Sequence, residues 1–84
     1  MVSVVVLIQL IQIYVGNEYL LWTIGITDDP ARRKVEHGNP NTWHDWEADS
    51  EEEAKRVEKH FLDKGMKGDV GGGINPKWVY VFRY

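Results

Sequence analysis

An arginine and a histidine stand four residues apart in the most informative stretch of this chain. Arg33 and His37 follow the dipeptide Asp29-Pro30, and residues four apart lie on one face of an α-helix. Their guanidinium and imidazole groups therefore converge and could form a polar site. The ordinary alternative is a solvated helix surface on which Arg33 pairs with Glu36 or Asp29, because surface charges usually have no specific role.

A carboxylate borders the buried side of a later helical segment. Glu58 lies four residues after Ala54 and four before Leu62, which both belong to an apolar stripe. This position is unusual for a carboxylate and favours a site. The alternative is an edge residue that pairs with one of its basic neighbours, Lys55, Arg56 or Lys59.

Other patterns in the chain carry less specific signals. Residues 69–73 read Asp-Val-Gly-Gly-Gly, but they lack the Gly-Lys-Ser/Thr ending of a phosphate loop and do not lead into a helix. We expect a turn or a loop that borders the site. Trp43 and Trp46 could stack on nucleic-acid bases, although aromatic residues of a small domain more often fill a core or an interface.

Several classes of site can be set aside. The chain has no cysteine, which excludes disulfides, thiolate metal sites and cysteine nucleophiles. His44, Asp45 and His60 do not have the spacing of zinc ligands. The net charge is −3, so any binding of nucleic acid must depend on a local basic patch.

Two helices are predicted from their capping residues. Asp29 suits an N-cap and Pro30 the first helical position, and residues 38–40, Gly-Asn-Pro, end this helix after about two turns. The second helix begins with a capping box, in which the Ser50 hydroxyl caps the Glu53 amide and the Glu53 side chain returns the bond. We expect this helix to end at residues 64–65, Lys-Gly.

The strands are predicted from runs of β-branched and aromatic residues. Strand one covers Val2 to Tyr14 and pairs across a short polar turn with a second strand over Tyr19 to Thr27. Thr42 to Ala48 and Trp78 to Phe82 are the remaining strands. The order β-β-α-β-α-β indicates one α+β domain over residues 1–84, a small, mainly antiparallel sheet with helices packed on it.

The pattern of the apolar N-terminal segment does not match that of a signal peptide or of a membrane anchor. It lacks a basic start and a small-residue cleavage site, and Gln9 and Gln12 interrupt it well before it reaches membrane-spanning length. We therefore expect no membrane partner, and a cytoplasmic location is the default.

The stretch Thr23-Ile-Gly-Ile-Thr27, with Arg33, His37 and the segment that carries Glu58, resembles the GIY-YIG nuclease superfamily. The resemblance implies an α+β fold in which a hairpin supplies two tyrosines, one from each signature tripeptide. It also implies that the next helix supplies the arginine and the histidine, and that a later helix supplies a metal-binding glutamate. Gly25, Asp29 and Pro30 belong to the structural part of the motif.

The chemistry implied by the resemblance is the hydrolysis of a phosphodiester in nucleic acid. Glu58 would hold Mg²⁺ or Mn²⁺, and Arg33 would neutralise charge that develops on the phosphoryl group. Thr23 stands where the second signature tyrosine is expected, and Tyr14 is the nearest phenol to the expected place of the first.

The departures from the family pattern leave two functions open. One is a Mg²⁺-dependent endonuclease with a weak or degenerate site formed by Arg33, His37 and Glu58. The other is a non-catalytic module that binds a protein or a nucleic acid, in which strand one and the aromatic closing strand form a homodimer or partner interface.

Overall fold

The computed structural model describes residues 1–69 and 74–84. Within these ranges the chain forms helices and strands in the following order: α1 Val4–Val15, a 3₁₀ turn Tyr19–Leu21, β1 Thr23–Thr27, α2 Pro30–Glu36, β2 Thr42–Glu47, α3 Glu51–Asp63, β3 Lys67–Gly68 and β4 Trp78–Arg83.

The strands form one mixed sheet in the order β2-β4-β1-β3. Strand β4 lies between β2 and β1 and is antiparallel to both, whereas the short β3 runs parallel to β1 at the edge. In this register Gly25 of β1 lies opposite Tyr80 of β4, and Tyr80 lies opposite Asp45 of β2. The predicted α+β class, with helices on a mainly antiparallel sheet, is confirmed.

The two faces of the sheet differ in chemistry because successive side chains of a strand point to opposite sides. One face, which we call the helix face, packs against α1 and α3 and forms the hydrophobic core. Its central residues are Ile24, Ile26, Val79 and Val81, which meet Leu7, Ile11, Val57 and Phe61 of the two helices. The opposite face, which we call the aromatic face, carries Gly25, Trp43, Tyr80 and Phe82.

The predicted strand over Val2 to Tyr14 is wrong, because this segment forms the helix α1. The predicted hairpin with Tyr19 to Thr27 is therefore wrong as well, and only Thr23–Thr27 of that second segment is a strand. Strand β1 instead pairs with β4, from the other end of the chain. Val2 alone makes a β-bridge, which is parallel and joins it to Ala48.

Packing explains why the N-terminal segment is helical despite its β-branched residues. Leu7, Ile11 and Val15 are buried at intervals of four residues, which is the spacing of one helix face. The Ser3 hydroxyl caps the start of the helix by accepting a bond of 3.4 Å from the Val6 amide. Burial of this stripe in the core outweighs the intrinsic preference of valine and isoleucine for strands.

The other predicted elements are present with nearly the expected bounds. The Asp29 side chain caps α2 by accepting from the Arg32 amide at 3.1 Å, and Pro30 is its first residue. Ser50 caps α3 by accepting from the Glu53 amide at 3.2 Å. The return bond of the capping box is not formed within the described ranges, where Glu53 Oε2 is buried without a hydrogen-bond partner.

None of the helices in the described part of the chain is long and apolar enough to cross a bilayer. The turn or loop predicted over residues 69–73 lies largely outside the described residues, which include only its first member, Asp69.

Candidate functional site

The site is built around the place where Tyr80 crosses Gly25 on the aromatic face. A Cβ atom at position 25 would lie 2.5 Å from Tyr80 Cζ, which is closer than side-chain atoms approach each other. Glycine is therefore required here for the tyrosine ring to lie across β1. The ring is fully buried. Its hydroxyl group extends across β1 towards the edge strand β3, where it donates to Asp69.

Three donors from separate elements converge on one oxygen atom of Asp69. Arg33 of α2 donates to Oδ2 through Nη2, and Tyr80 donates to the same atom through its hydroxyl. His37, at the C-cap of α2, places Nε2 2.7 Å from this oxygen. Because an ionised carboxylate can only accept hydrogen bonds, Nε2 must carry the proton in this contact.

The donors shift the pKa values of the groups in this cluster. Burial would raise the pKa of Asp69, but the hydrogen bonds from Tyr80, His37 and Arg33 outweigh it and lower the pKa below its ordinary value. Burial and the bond to Asp69 raise the pKa of Tyr80. Asp69 is therefore an anion at neutral pH, and Tyr80 is a neutral phenol that donates a hydrogen bond.

Aromatic packing holds the donors in place. The Trp43 ring stacks on Tyr80 with centroids 4.7 Å apart and planes 7° apart. The His37 ring packs against Phe82 at 4.5 Å, and the Tyr84 hydroxyl donates to the His37 carbonyl oxygen at 2.9 Å. The orientations of Tyr80 and His37 therefore depend on the sheet and not on Asp69 alone.

Glu58 of α3 lies near this cluster but is not bound into it. Burial raises the pKa of its carboxyl group, and the negative charge of Asp69 raises it further, whereas Lys55 acts in the opposite direction. Within residues 1–69 and 74–84, no side chain forms a hydrogen bond or an ion pair with Glu58. A partly buried carboxylate without a partner is costly to stability, which is a common property of functional groups.

The structure brings some of the predicted site residues to Asp69 and places others elsewhere. Arg33 and His37 come together at Asp69, with Glu58 close enough for its charge to interact with Asp69. Thr23, two residues before Gly25 on β1, lies on the aromatic face opposite Phe82.

Tyr14 is not brought to this group. Its ring stacks on His44 with centroids 3.8 Å apart, and His44 belongs to the helix face of the sheet. Asp29 and Pro30 act as the cap and first residue of α2, as predicted, and the Thr27 hydroxyl accepts from the Asp29 amide at 3.0 Å to position that cap.

Two members of the cluster, Tyr80 and Asp69, are absent from the sequence-based set of site residues. Tyr80 could have been found from Gly25, because an isolated glycine inside a strand often marks a close approach by another residue. The sequence marks Asp69 only as the first residue of the loop that was expected to border the site. It reaches the site because β3 pairs in parallel with β1 and because the Asp69 amide donates to the Ile24 carbonyl oxygen at 3.0 Å.

A metal ion at this site would depend on few protein ligands. Within the described residues, no three His, Asp or Glu side chains form a cluster that could hold a metal. Glu58, as a single unpaired carboxylate, fits an ion such as Mg²⁺ that keeps most of its water ligands. The donor set is thus compatible with the predicted metal but does not form a closed metal cage.

Comparison of the chain with protein-family models, with curated proteins and with solved structures found no match in any of the three.

Replacement of Gly25 by alanine tests the close approach of Tyr80. The added methyl group must displace a buried ring, so we expect Gly25→Ala to lower the free energy of unfolding by about 1–3 kcal/mol, as is typical of overpacking. The measurement is urea unfolding followed by tryptophan fluorescence. Gly68→Ala is the control, since its methyl group would meet only the flexible end of Leu62 at 3.0 Å. Equal stability of Gly25→Ala and the unsubstituted protein would contradict the geometry.

Replacement of Glu58 by glutamine tests the raised pKa of this carboxyl group. A raised pKa means that ionisation disfavours the folded state, so Glu58→Gln should stabilise the protein at neutral pH. The gain should fade as the pH falls through the raised pKa and vanish below the ordinary value of 4.5. Urea unfolding of both proteins at several pH values from about 4 to about 8 measures how this stability difference depends on pH.

Glu52→Gln serves as the control for this experiment, because Glu52 lies on the exposed side of the same helix. A Glu58→Gln variant that is less stable than the unsubstituted protein at neutral pH would show that the carboxylate has a stabilising partner.

Proposed function

We propose that this chain is a GIY-YIG-like domain that binds a phosphodiester of nucleic acid on its aromatic face and hydrolyses it with Mg²⁺ or Mn²⁺. The observation that carries the proposal is the convergence of Arg33, His37 and Tyr80 on one oxygen atom of Asp69. Glu58, which has no ion-pair partner among the described residues, is close enough for the charge of Asp69 to raise its pKa. Guanidinium groups with neutral hydrogen-bond donors are the groups that recognise phosphate oxygens.

The position of Tyr80 supports the proposed family. In the GIY-YIG superfamily, two adjacent antiparallel strands each supply a tyrosine to the site. Here β1 has Thr23 in its signature tripeptide, and its antiparallel neighbour β4 carries Tyr80 directly opposite Gly25. We take Tyr80 of this C-terminal strand as the counterpart of the phenol that the resemblance expects from an N-terminal strand.

The residues of the cluster have distinct roles in the proposed reaction. Arg33 neutralises the charge on a phosphoryl oxygen, and Tyr80 donates a hydrogen bond to it as a neutral phenol. His37 orients the phosphate through its ring nitrogen. Glu58 would hold the divalent cation, which supplies stabilisation of the developing charge when it is bound. A cytoplasmic location belongs to this proposal.

Cleavage of labelled DNA tests the proposal. We expect the protein to cut single-stranded, branched or duplex DNA in the presence of Mg²⁺ or Mn²⁺, and Glu58→Gln to abolish cleavage. Arg33→Gln should lower the rate by about 10²–10³-fold, as expected for the loss of one donor to a developing oxyanion. Absence of cleavage on all three substrates, or cleavage that Glu58→Gln leaves unchanged, would refute the hydrolytic function.

Arg32 offers a matched control for Arg33 in this assay. It is the neighbouring residue of the same helix, but it pairs with Asp28 at 3.0 Å and is half-exposed. Arg32→Gln removes the same charge without touching the cluster, so its rate should stay close to that of the unsubstituted protein.

A second candidate function is a non-catalytic module that forms a homodimer through α1. The apolar segment that was expected to be the strand-one interface is a helix, and all twelve of its residues are uncharged. Its outward side exposes Val5 and Ile13, at 66% and 75% of their surface. A helix that is apolar on both sides is usually buried on both, which favours a second copy of α1 as its cover.

The oligomeric state tests this second candidate. We expect the unsubstituted protein to be dimeric at micromolar concentration in light scattering, and Ile13→Glu to make it monomeric by placing a charge in the interface. Leu20→Glu is the control, because Leu20 is equally exposed, at 74%, but lies outside α1. A monomeric unsubstituted protein would rule out the homodimer.

A further inference from the structure

The carboxylate of Asp69 occupies the point at which the donors of the site converge. Its Oδ2 atom accepts from Arg33, Tyr80 and His37, and the side chains of Arg33, His37 and Asp69 are all less than a fifth exposed. A guanidinium group, an imidazole ring and a phenol that all donate to a single oxygen form an arrangement suited to an anionic ligand.

The same donors fit a phosphate oxygen. A guanidinium group matches the geometry of carboxylates and phosphates alike. Tyr80 is held by Gly25 and Trp43, and His37 by Phe82, so neither ring depends on Asp69 for its position. Two of the three donors are therefore held in place by the sheet and not by the carboxylate that they bind.

We expect the Asp69 carboxylate to be able to leave these donors without a change in the sheet. Its backbone amide is bonded to the Ile24 carbonyl oxygen at 3.0 Å, which keeps the main chain beside β1. Rotation of the side chain about its own bonds removes the carboxylate from the donors. The freed donors must then be satisfied by water or by another anion, since unpaired polar groups are costly.

We propose that Asp69 is an internal competitor of the substrate, and that its carboxylate occupies the position which a phosphate oxygen of nucleic acid takes when it binds. This inference rests on the proposed function, because it takes the donors of Arg33, His37 and Tyr80 as the phosphate site. It adds a regulatory property: the free protein is self-inhibited, and a phosphate must displace Asp69.

The charges around Arg33 show why this competitor matters. Arg33 pairs with Asp69 and, through Nη1, with Glu36 at 2.7 Å. Its single positive charge is thus already shared between two carboxylates, and Glu58 adds a third negative group nearby. An approaching phosphate gains little attraction until one of the carboxylates leaves, and only Asp69 occupies the point at which all three donors meet.

Removal of the Asp69 charge should strengthen phosphate binding. We expect Asp69→Asn to bind inorganic phosphate, and a short single-stranded DNA, about tenfold more tightly or better, because the affected hydrogen bonds involve charged groups. Binding is measured by NMR titration without divalent cations, so that cleavage cannot interfere. Arg33→Gln should lose this binding in both backgrounds.

Glu36→Gln is the matched control. This substitution removes the negative charge of a carboxylate that also pairs with Arg33, but Glu36 lies outside the point at which the three donors converge. We expect its affinity for phosphate to change by less than about threefold, as an exposed ion pair contributes little. Equal gains for Glu36→Gln and Asp69→Asn would reduce the effect to net charge and overturn the proposal, as would the absence of a gain in a folded Asp69→Asn variant.

The unsubstituted protein provides a second readout that does not depend on the folding of the variant. The ¹³C resonance of the Asp69 carboxylate should move towards that of a solvated aspartate as phosphate is added. A resonance that stays unchanged while Arg33 and Tyr80 respond to phosphate would show that Asp69 is not displaced, and would overturn the proposal.

The outcomes separate this inference from the proposed function. Tighter phosphate binding by Asp69→Asn without any DNA cleavage would support the competitor and refute the hydrolysis. Glu58-dependent cleavage together with no gain from Asp69→Asn would refute the competitor alone.

Discussion

The pairing of Gly25 with Tyr80 across β1 and β4 is the constraint on which the rest of the structure depends. On the helix face, the same pairing brings Ile24 beside Val81 and so builds the core under α1 and α3. On the aromatic face, the absence of a side chain at Gly25 lets the Tyr80 ring cross β1 and reach Asp69. A single register of two strands thus determines both the core and the site.

The two faces contribute differently to stability. The helix face buries aliphatic side chains, which supply most of the free energy of folding. The site at the aromatic face contains an ionised Asp69, which pairs with Arg33, and its charge acts on the partly buried Glu58 of α3. Ionised Asp69 favours the folded state because its pKa is lowered, whereas ionised Glu58 opposes folding because its pKa is raised. The core therefore has to offset the cost of Glu58.

Local signals predicted the parts of the fold that local interactions determine. The caps at Asp29 and Ser50 placed α2 and α3, and the spacing of Arg33 and His37 placed two site residues on one side of α2. Segment α1 was missed because its aliphatic residues occur on the exposed side as well as on the buried side, and Gln9 and Gln12 alone give too weak a periodicity to separate a helix from a buried strand. Its length of twelve residues was the remaining signal, since strands are usually shorter. Tyr80 and Asp69 reach the site through strand pairings, which no local pattern encodes.

The origin of Tyr80 bears on what Thr23 means for the proposed function. A position in a sheet is defined by its neighbours in space, and the connection that leads to it can come from either end of the chain. The proposed site needs a phenol on the strand antiparallel to β1, and β4 supplies one although it is the last strand of the sequence. Under the proposed function, Thr23 therefore stands in place of one of the two expected phenols, and Tyr80 takes the role of the other from a strand that the order of the sequence does not indicate.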